Sequence, residues 1–104
     1  MKSFKILIDE DALIDLQEAT DWYNGRAENL GSRFKKQVKR QIAGIKKNAI
    51  GFNIRYATIH CLPVKKFPYV IHYSVDEAKS IVKVLAIIHT SRDPDIWEKK
   101  TETS

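Results

Sequence analysis

Beyond a short opening stretch of eight residues, the period of the apolar residues changes once along this chain, and that change limits the folds open to it. Through the first half they recur every three or four residues, the spacing of one helix face. From residue 54 onward they alternate, the spacing of strands. Two helices with one apolar side each cannot stay solvated on that side. They must lie on the sheet that the second half forms.

Phe4, Ile6 and Ile8 alternate with Lys5 and Leu7, which predicts an opening strand over 4–8. A helix should start at residues 9–11, where carboxylates cap free N–H groups and suit the positive end of the dipole. Ala12, Leu16, Ala19 and Tyr23 then share one face. Asn24-Gly25 is expected to stop the helix, since Gly tolerates a left-handed cap. A second helix is expected over about 30–47, with Leu30, Phe34, Val38, Ile42 and Ile45 as its stripe and Asn48 and Gly51 closing it. The short link between them favours an antiparallel hairpin.

Residues 54–62 read as one strand. Tyr56, Thr58, His60 and Leu62 fall on one face and Arg55, Ala57, Ile59 and Cys61 on the other, with Pro63 ending the run. A strand over 67–75 follows, carrying Phe67, Tyr69, Ile71 and Tyr73 on one face. A polar turn at 76–80 leads to 81–88, whose IVKVLAII run is that of a central strand covered on both sides. Asp93-Pro94 opens a short helix, and Trp97 is expected to pack back on the sheet. The fold class is therefore α+β: an N-terminal strand, an antiparallel two-helix hairpin packed on an antiparallel sheet of about four strands, and a short C-terminal helix. A single domain over 1–100 is expected, with 101–104 a disordered tail.

The 104 residues, 43% hydrophobic and 30% charged, suffice for one core without staples. No apolar run approaches the ~20 residues of a membrane span, and the N-terminal apolar stretch is too short for a signal peptide. A cytoplasmic location, with no membrane contact, is the expectation. Cys61 is the single cysteine and reads as a small buried hydrophobe.

The net charge is +5, but its distribution says more. Residues 29–75 hold Arg33, Lys35, Lys36, Lys39, Arg40, Lys46, Lys47, Arg55, Lys65 and Lys66 without one Asp or Glu, whereas 9–28 hold seven acids and only Arg26. One reading is a basic surface for nucleic acid or for an acidic protein segment. The other is two helices of opposite sign that screen each other.

Several short motifs add to this order of elements. Ala12, Leu16, Ala19, Trp22 and Tyr23 mark the first helix, Leu30-Gly31 and Phe34 the second, and Asn48 its end. K-F-P-Y-V-I-H-Y spans 66–73 and H-T-S-R-D-P-D-I-W spans 89–97. Taken together, from Phe4 to about Lys99, the chain resembles the RelE/ParE superfamily of type II toxins, which includes plasmid-stabilisation proteins. At Ala49 it departs from the Asn-Pro that the family often carries. The resemblance implies a toxin that halts growth and is neutralised by a cognate antitoxin in a hetero-oligomer. It also implies one of two targets. ParE-like toxins inhibit DNA gyrase and trap it on cleaved DNA; RelE-like toxins bind the ribosome and cut messenger RNA.

Ribosome-dependent cleavage needs groups that orient the 2′-OH, cations that stabilise the phosphate, and an acid for the leaving oxygen. The candidates for that chemistry are His89, Arg92 and Lys66. Arg55, Lys65, Lys66 and Arg92 are candidates for binding nucleic acid or another target, and Arg33, Lys36, Arg40 and Lys47 for binding the antitoxin. Each has a plainer alternative: a solvated turn lysine, an outward strand arginine, or a histidine holding a loop. Compared with the nuclease branch, Val70 stands where an arginine is typical, Trp97 replaces a terminal tyrosine, and Ala57 and Thr58 replace basic residues. Those losses and the long hairpin, about fifteen residues per helix, favour gyrase inhibition over RNA cleavage. An inactive relative that only binds antitoxin is the third reading. No metal or cofactor is called for.

Overall fold

The computed structural model describes residues 3–49, 54–56 and 58–91. The helix expected from Asp93-Pro94 to Trp97 and the tail 101–104 lie outside the described residues. In chain order the elements are β1 (Lys5–Ile8), α1 (Glu10–Arg26), α2 (Leu30–Ile45), β2 (Ile54–Tyr56), β3 (Ile59–Pro63), β4 (Tyr69–Asp76) and β5 (Ile81–His89).

Asp9 starts α1 as anticipated. Its carboxylate accepts the Glu10 N–H at 2.9 Å, and Glu10 and Asp11 occupy the first turn. The end differs from expectation. The helix passes through Asn24 and Gly25 to Arg26, and Gly25 is not left-handed. The Ala27 N–H closes the last turn on the Tyr23 carbonyl at 3.1 Å, and the chain reverses at Asn29, with φ 64°. Asn tolerates that region better than most residues because its short polar side chain bonds locally.

Asn24 has a different task. Its side-chain oxygen accepts the Gly31 N–H at 2.7 Å, so α1 caps the N-terminus of α2 from outside. Gly31 sits so close that an added Cβ would collide with the Thr20 carbonyl oxygen and the Asn24 side chain.

The two stripes form as predicted. Ala12, Leu16, Ala19 and Tyr23 from α1 and Phe34, Val38, Ile42 and Ile45 from α2 are buried in one core. Phe4, Val64, Ile71, Tyr73, Val82, Val84 and Ile87 meet them from the sheet side. The sheet has five strands in the order β1-β5-β4-β3-β2, so β5 lies inside it as its composition suggests. β3, β4 and β5 form the expected antiparallel meander, and two details beyond it were not anticipated. First, β1 pairs with β5 in parallel, Lys5 opposite Ile81 and Ile8 opposite Val84, which makes the sheet mixed. Second, the run 54–62 is not one strand. It folds back near Thr58, and β2 pairs antiparallel with β3, Ile54 opposite His60. The register shifts between Ile54 and Tyr56, so Tyr56 opposes Ile59 rather than a residue of its own parity, and simple alternation does not run through the reversal.

A bulge resets the face of β5. His72 opposes Ala86 and Tyr73 opposes Val84, which leaves Leu85 extra. Val82, Val84 and Ile87 therefore all reach the helix side, despite their mixed parity. Asp15 Oδ2 accepts the Ile87 N–H at 3.0 Å and ties α1 to the strand just beyond the bulge. On the far face Cys61, Val70, His72, Ala86 and Ile88 are buried, and Cys61 Sγ lies 3.5 Å from His72 Nδ1. Tyr73 is fully buried, its hydroxyl donating to the Ala49 carbonyl at 3.0 Å while His60 stacks on its ring.

Two predictions follow from this packing. Gly31→Ala should destabilise the protein by about 1–3 kcal/mol through overpacking. Gly44→Ala, in the same helix with nothing within 4 Å, should be neutral or stabilise by up to about 1 kcal/mol. Urea midpoints of the two variants check the contrast. Burial, then the nearby Cys61, holds the Tyr73 phenol above its ordinary value of 10.0. A raised folded value means the contribution is complete below pH ~10 and is lost as pH rises past it. Tyr73→Phe should cost about 1 kcal/mol at neutral pH and flatten the alkaline decline in denaturation curves.

Candidate functional site

Two clefts flank the helix hairpin, and they differ in sign. The first lies between α2 and the β3–β4 turn. Arg33, Lys36, Gln37 and Arg40 line it from the helix, together with Leu30, and Lys65, Lys66 and Phe67 line it from the turn, around about 320 Å³. The α2 residues recur once per helical turn, so they stand in one row. Five cations line this cleft, with no carboxylate among the lining residues.

Gln41 fixes the opposite wall. Its amide nitrogen donates to the Pro63 carbonyl at 2.7 Å, and its oxygen accepts from the Lys65 N–H at 2.8 Å and from Gln37 Nε2 at 2.9 Å. The turn then passes through Lys66 at φ 71°, and Val64 N–H closes on the Tyr69 carbonyl at 2.8 Å. Phe67 returns to the core edge-on to Phe34 and Tyr23, with centroids 5.1 and 5.2 Å away. The lysines are thus held over α2 by backbone bonds rather than by their own side chains.

The second is a groove of about 630 Å³ between α1 and the adjoining ends of β4 and β5. Asp15, Glu18, Trp22, Tyr69, His89 and Ser91 are among its lining. Trp22 is 53% exposed, with the Arg26 guanidinium 4.5 Å from its ring centre. His89 Nδ1 accepts the Ser91 N–H at 3.0 Å and lies 2.8 Å from Ser91 Oγ. Accepting that N–H requires a lone pair on Nδ1, which places the proton of the neutral ring on Nε2. The Tyr69 ring meets the imidazole edge-on at 5.1 Å.

The candidates from sequence are therefore regrouped. Arg33, Lys36, Arg40, Lys65 and Lys66 converge on the basic cleft. Lys47 is exposed just past α2 and is not part of that lining. His89 lines the α1 groove, apart from Lys66. Arg92 and the side chain of Arg55 lie outside the described residues. Sequence reasoning did not single out Gln37, Gln41, Trp22, Asp15 or Ser91 as site residues. Only the Gln37–Gln41 spacing, one helical turn, signalled that the two amides share a side.

The family model for the ParE toxin of type II toxin–antitoxin systems, parDE, matches residues 6–94. The chain belongs to the ParE toxin family. Among solved structures, this ParE-family chain superposes on the chromosomal ParDE system of P. aeruginosa with a TM-score of 0.76 at 13% identity, covering 88% of this chain and 100% of that one. A free E. coli RelE toxin mutant gives 0.71 at 17% identity, covering 99% and 97%. The intact E. coli RelBE toxin–antitoxin complex gives 0.65 at 19%, covering 86% and 99%. At these identities the structures establish the shared fold. No curated protein sequence matches the chain. No helix among the described residues is long and apolar enough to cross a membrane, and no group of three or more potential metal ligands occurs among them.

The clamp on the basic cleft is testable. Gln41→Ala removes three hydrogen bonds and should cost about 1–3 kcal/mol in chemical denaturation. Amide exchange at Lys65 should rise relative to the strand interiors.

Proposed function

We propose that this ParE-family chain arrests growth by inhibiting DNA gyrase and is held inactive by a cognate antitoxin bound in a hetero-oligomer. The observation that carries this reading is the separation of the two candidate catalytic groups that are described, His89 and Lys66. His89 shares a groove with Asp15 and Glu18 on the α1 side, while Lys65 and Lys66 share a cleft with α2. Carboxylates beside the imidazole would repel a phosphate, and the nearest lysine row faces another way. Gyrase inhibition asks for no reacting set, only for a surface. The α-hairpin offers one, with Leu13, Ile14 and Trp22 exposed on α1 and the cations on α2. The family match supports the same branch.

An antitoxin partner is supported by the ParDE and RelBE assemblies that share this fold. The basic side of α2 suits an acidic neutralising segment, and its field would speed docking.

Purified chain mixed with gyrase, ATP and supercoiled plasmid should yield linear DNA. His89→Ala should keep that activity within about twofold, because its groove is not used in chemistry. A defined messenger carried on programmed ribosomes should stay uncut. Codon-specific cuts that vanish in His89→Ala would replace this proposal with the RelE-like one. Cultures that grow normally while the chain is overproduced alone would leave only an inactive antitoxin binder.

A further inference from the structure

Charge alone does not account for the anatomy of the cleft beside α2. Its rim carries Arg33, Lys36 and Arg40 on one wall and Lys65 and Lys66 on the other. Leu30 and Phe67 also line it, and both remain partly exposed although they pack against the core. A phosphodiester backbone would satisfy the rim and bring nothing for the apolar residues. A peptide with carboxylates on either side of one bulky apolar residue would satisfy both. This is the arrangement of protein interfaces, an apolar centre ringed by polar groups. The walls are also set before any partner arrives, because Gln41 holds the turn by main-chain bonds at 2.7 and 2.8 Å. Less ordering entropy is then lost on binding.

We propose that this cleft is the docking site for an acidic peptide segment carrying a single large apolar anchor, the anchor seated between Leu30 and Phe67. The assignment rests on the antitoxin reading above and makes it specific. Lys65 and Lys66 move from the target-binding set to the partner-binding set, joining Arg33, Lys36 and Arg40. Lys47, which does not line the cleft, drops out. Acids one helical turn apart, ~5.4 Å, match the α2 row, and further acids beyond the anchor meet the two lysines.

The test is selection from a displayed library of random peptides about twelve residues long, against the full chain. The enriched peptides should carry Asp or Glu on both sides of a Leu, Phe or Trp. Replacing that anchor with Ser should weaken binding roughly tenfold or more. Arg40→Glu and Lys65→Glu should each do the same, with folding checked by circular dichroism. Lys79→Glu, on the exposed β4–β5 turn, should change nothing. The assignment is overturned if no peptide is enriched, or if the enriched peptides lack acids or bind the reversed variants as well as the parent. It is also overturned if a single-stranded oligodeoxynucleotide of the same length displaces them at lower concentration than an acidic peptide does. Growth arrest by the unmodified chain is scored separately. Arrest without peptide binding sinks only the cleft assignment, and peptide binding without arrest sinks only the toxin reading.

Discussion

Two apolar stripes, one on each helix, have to share a single sheet face, and that face is continuous only because β5 holds an extra residue at Leu85. Without the bulge, Ile87 would point away from the helices that Val82 and Val84 support. The bulge leaves the ladder locally broken, and Asp15 bonds the Ile87 N–H from across the layer. A buried amide without a partner costs about 1–3 kcal/mol, so the carboxylate removes a penalty and fixes where α1 lies along the strand. The Gly31 approach sets the other axis. It brings α2 against Thr20 and Asn24 and leaves room for no side chain between the helices.

Those two constraints place the two clefts. Once α1 is pinned over β5, its Asp15, Glu18 and Trp22 must border the end of that strand, and His89 with them. Once α2 is pinned beside α1, its outer row of cations must border the β3–β4 turn. The charge segregation in sequence therefore becomes a separation in space. The screening alternative would set the cations of α2 against the acids of α1. Lys35 reaches Gln17 of α1 at 3.4 Å, a polar contact with an amide, whereas the cleft cations meet no carboxylate among its lining residues.

Much of this was readable from the chain. Every predicted stripe residue of both helices is buried or packed against the core, because a 3.6-residue period has one geometric solution. Cys61, Pro63 and the internal position of β5 also follow from residue type and run length. What failed to be legible were matters of neighbourhood. Alternation over 54–62 could not distinguish a straight strand from a reversal near Thr58. Gly25 carries the usual stop signal for a helix, yet the main-chain bond from Ala27 to Tyr23 let α1 run on to Arg26. His89 and Lys66 each had suitable chemistry. Which helix each would face depended on strand order and on a bulge that no local pattern announces. Gln41 was invisible for the same reason, since its partners lie 22 and 24 residues away.

The opposed flanks also set how an approaching macromolecule is oriented. An acidic segment is attracted by five cations on one side of the hairpin and repelled by the carboxylates of α1 on the other. At physiological salt, charges are felt over only about 8 Å. That is shorter than the ~10 Å breadth of a single helix. The two fields are therefore sensed separately and do not average to the modest net charge of +5. Encounter is biased toward the α2 side before any apolar contact forms, and the apolar lining of the cleft then decides which acidic segments stay. On α1 the large apolar side chains Leu13, Ile14 and Trp22 stay exposed, outside the lining of the cation cleft. One hairpin thus carries two chemically different faces, a cationic cleft along α2 and a carboxylate-lined groove along α1.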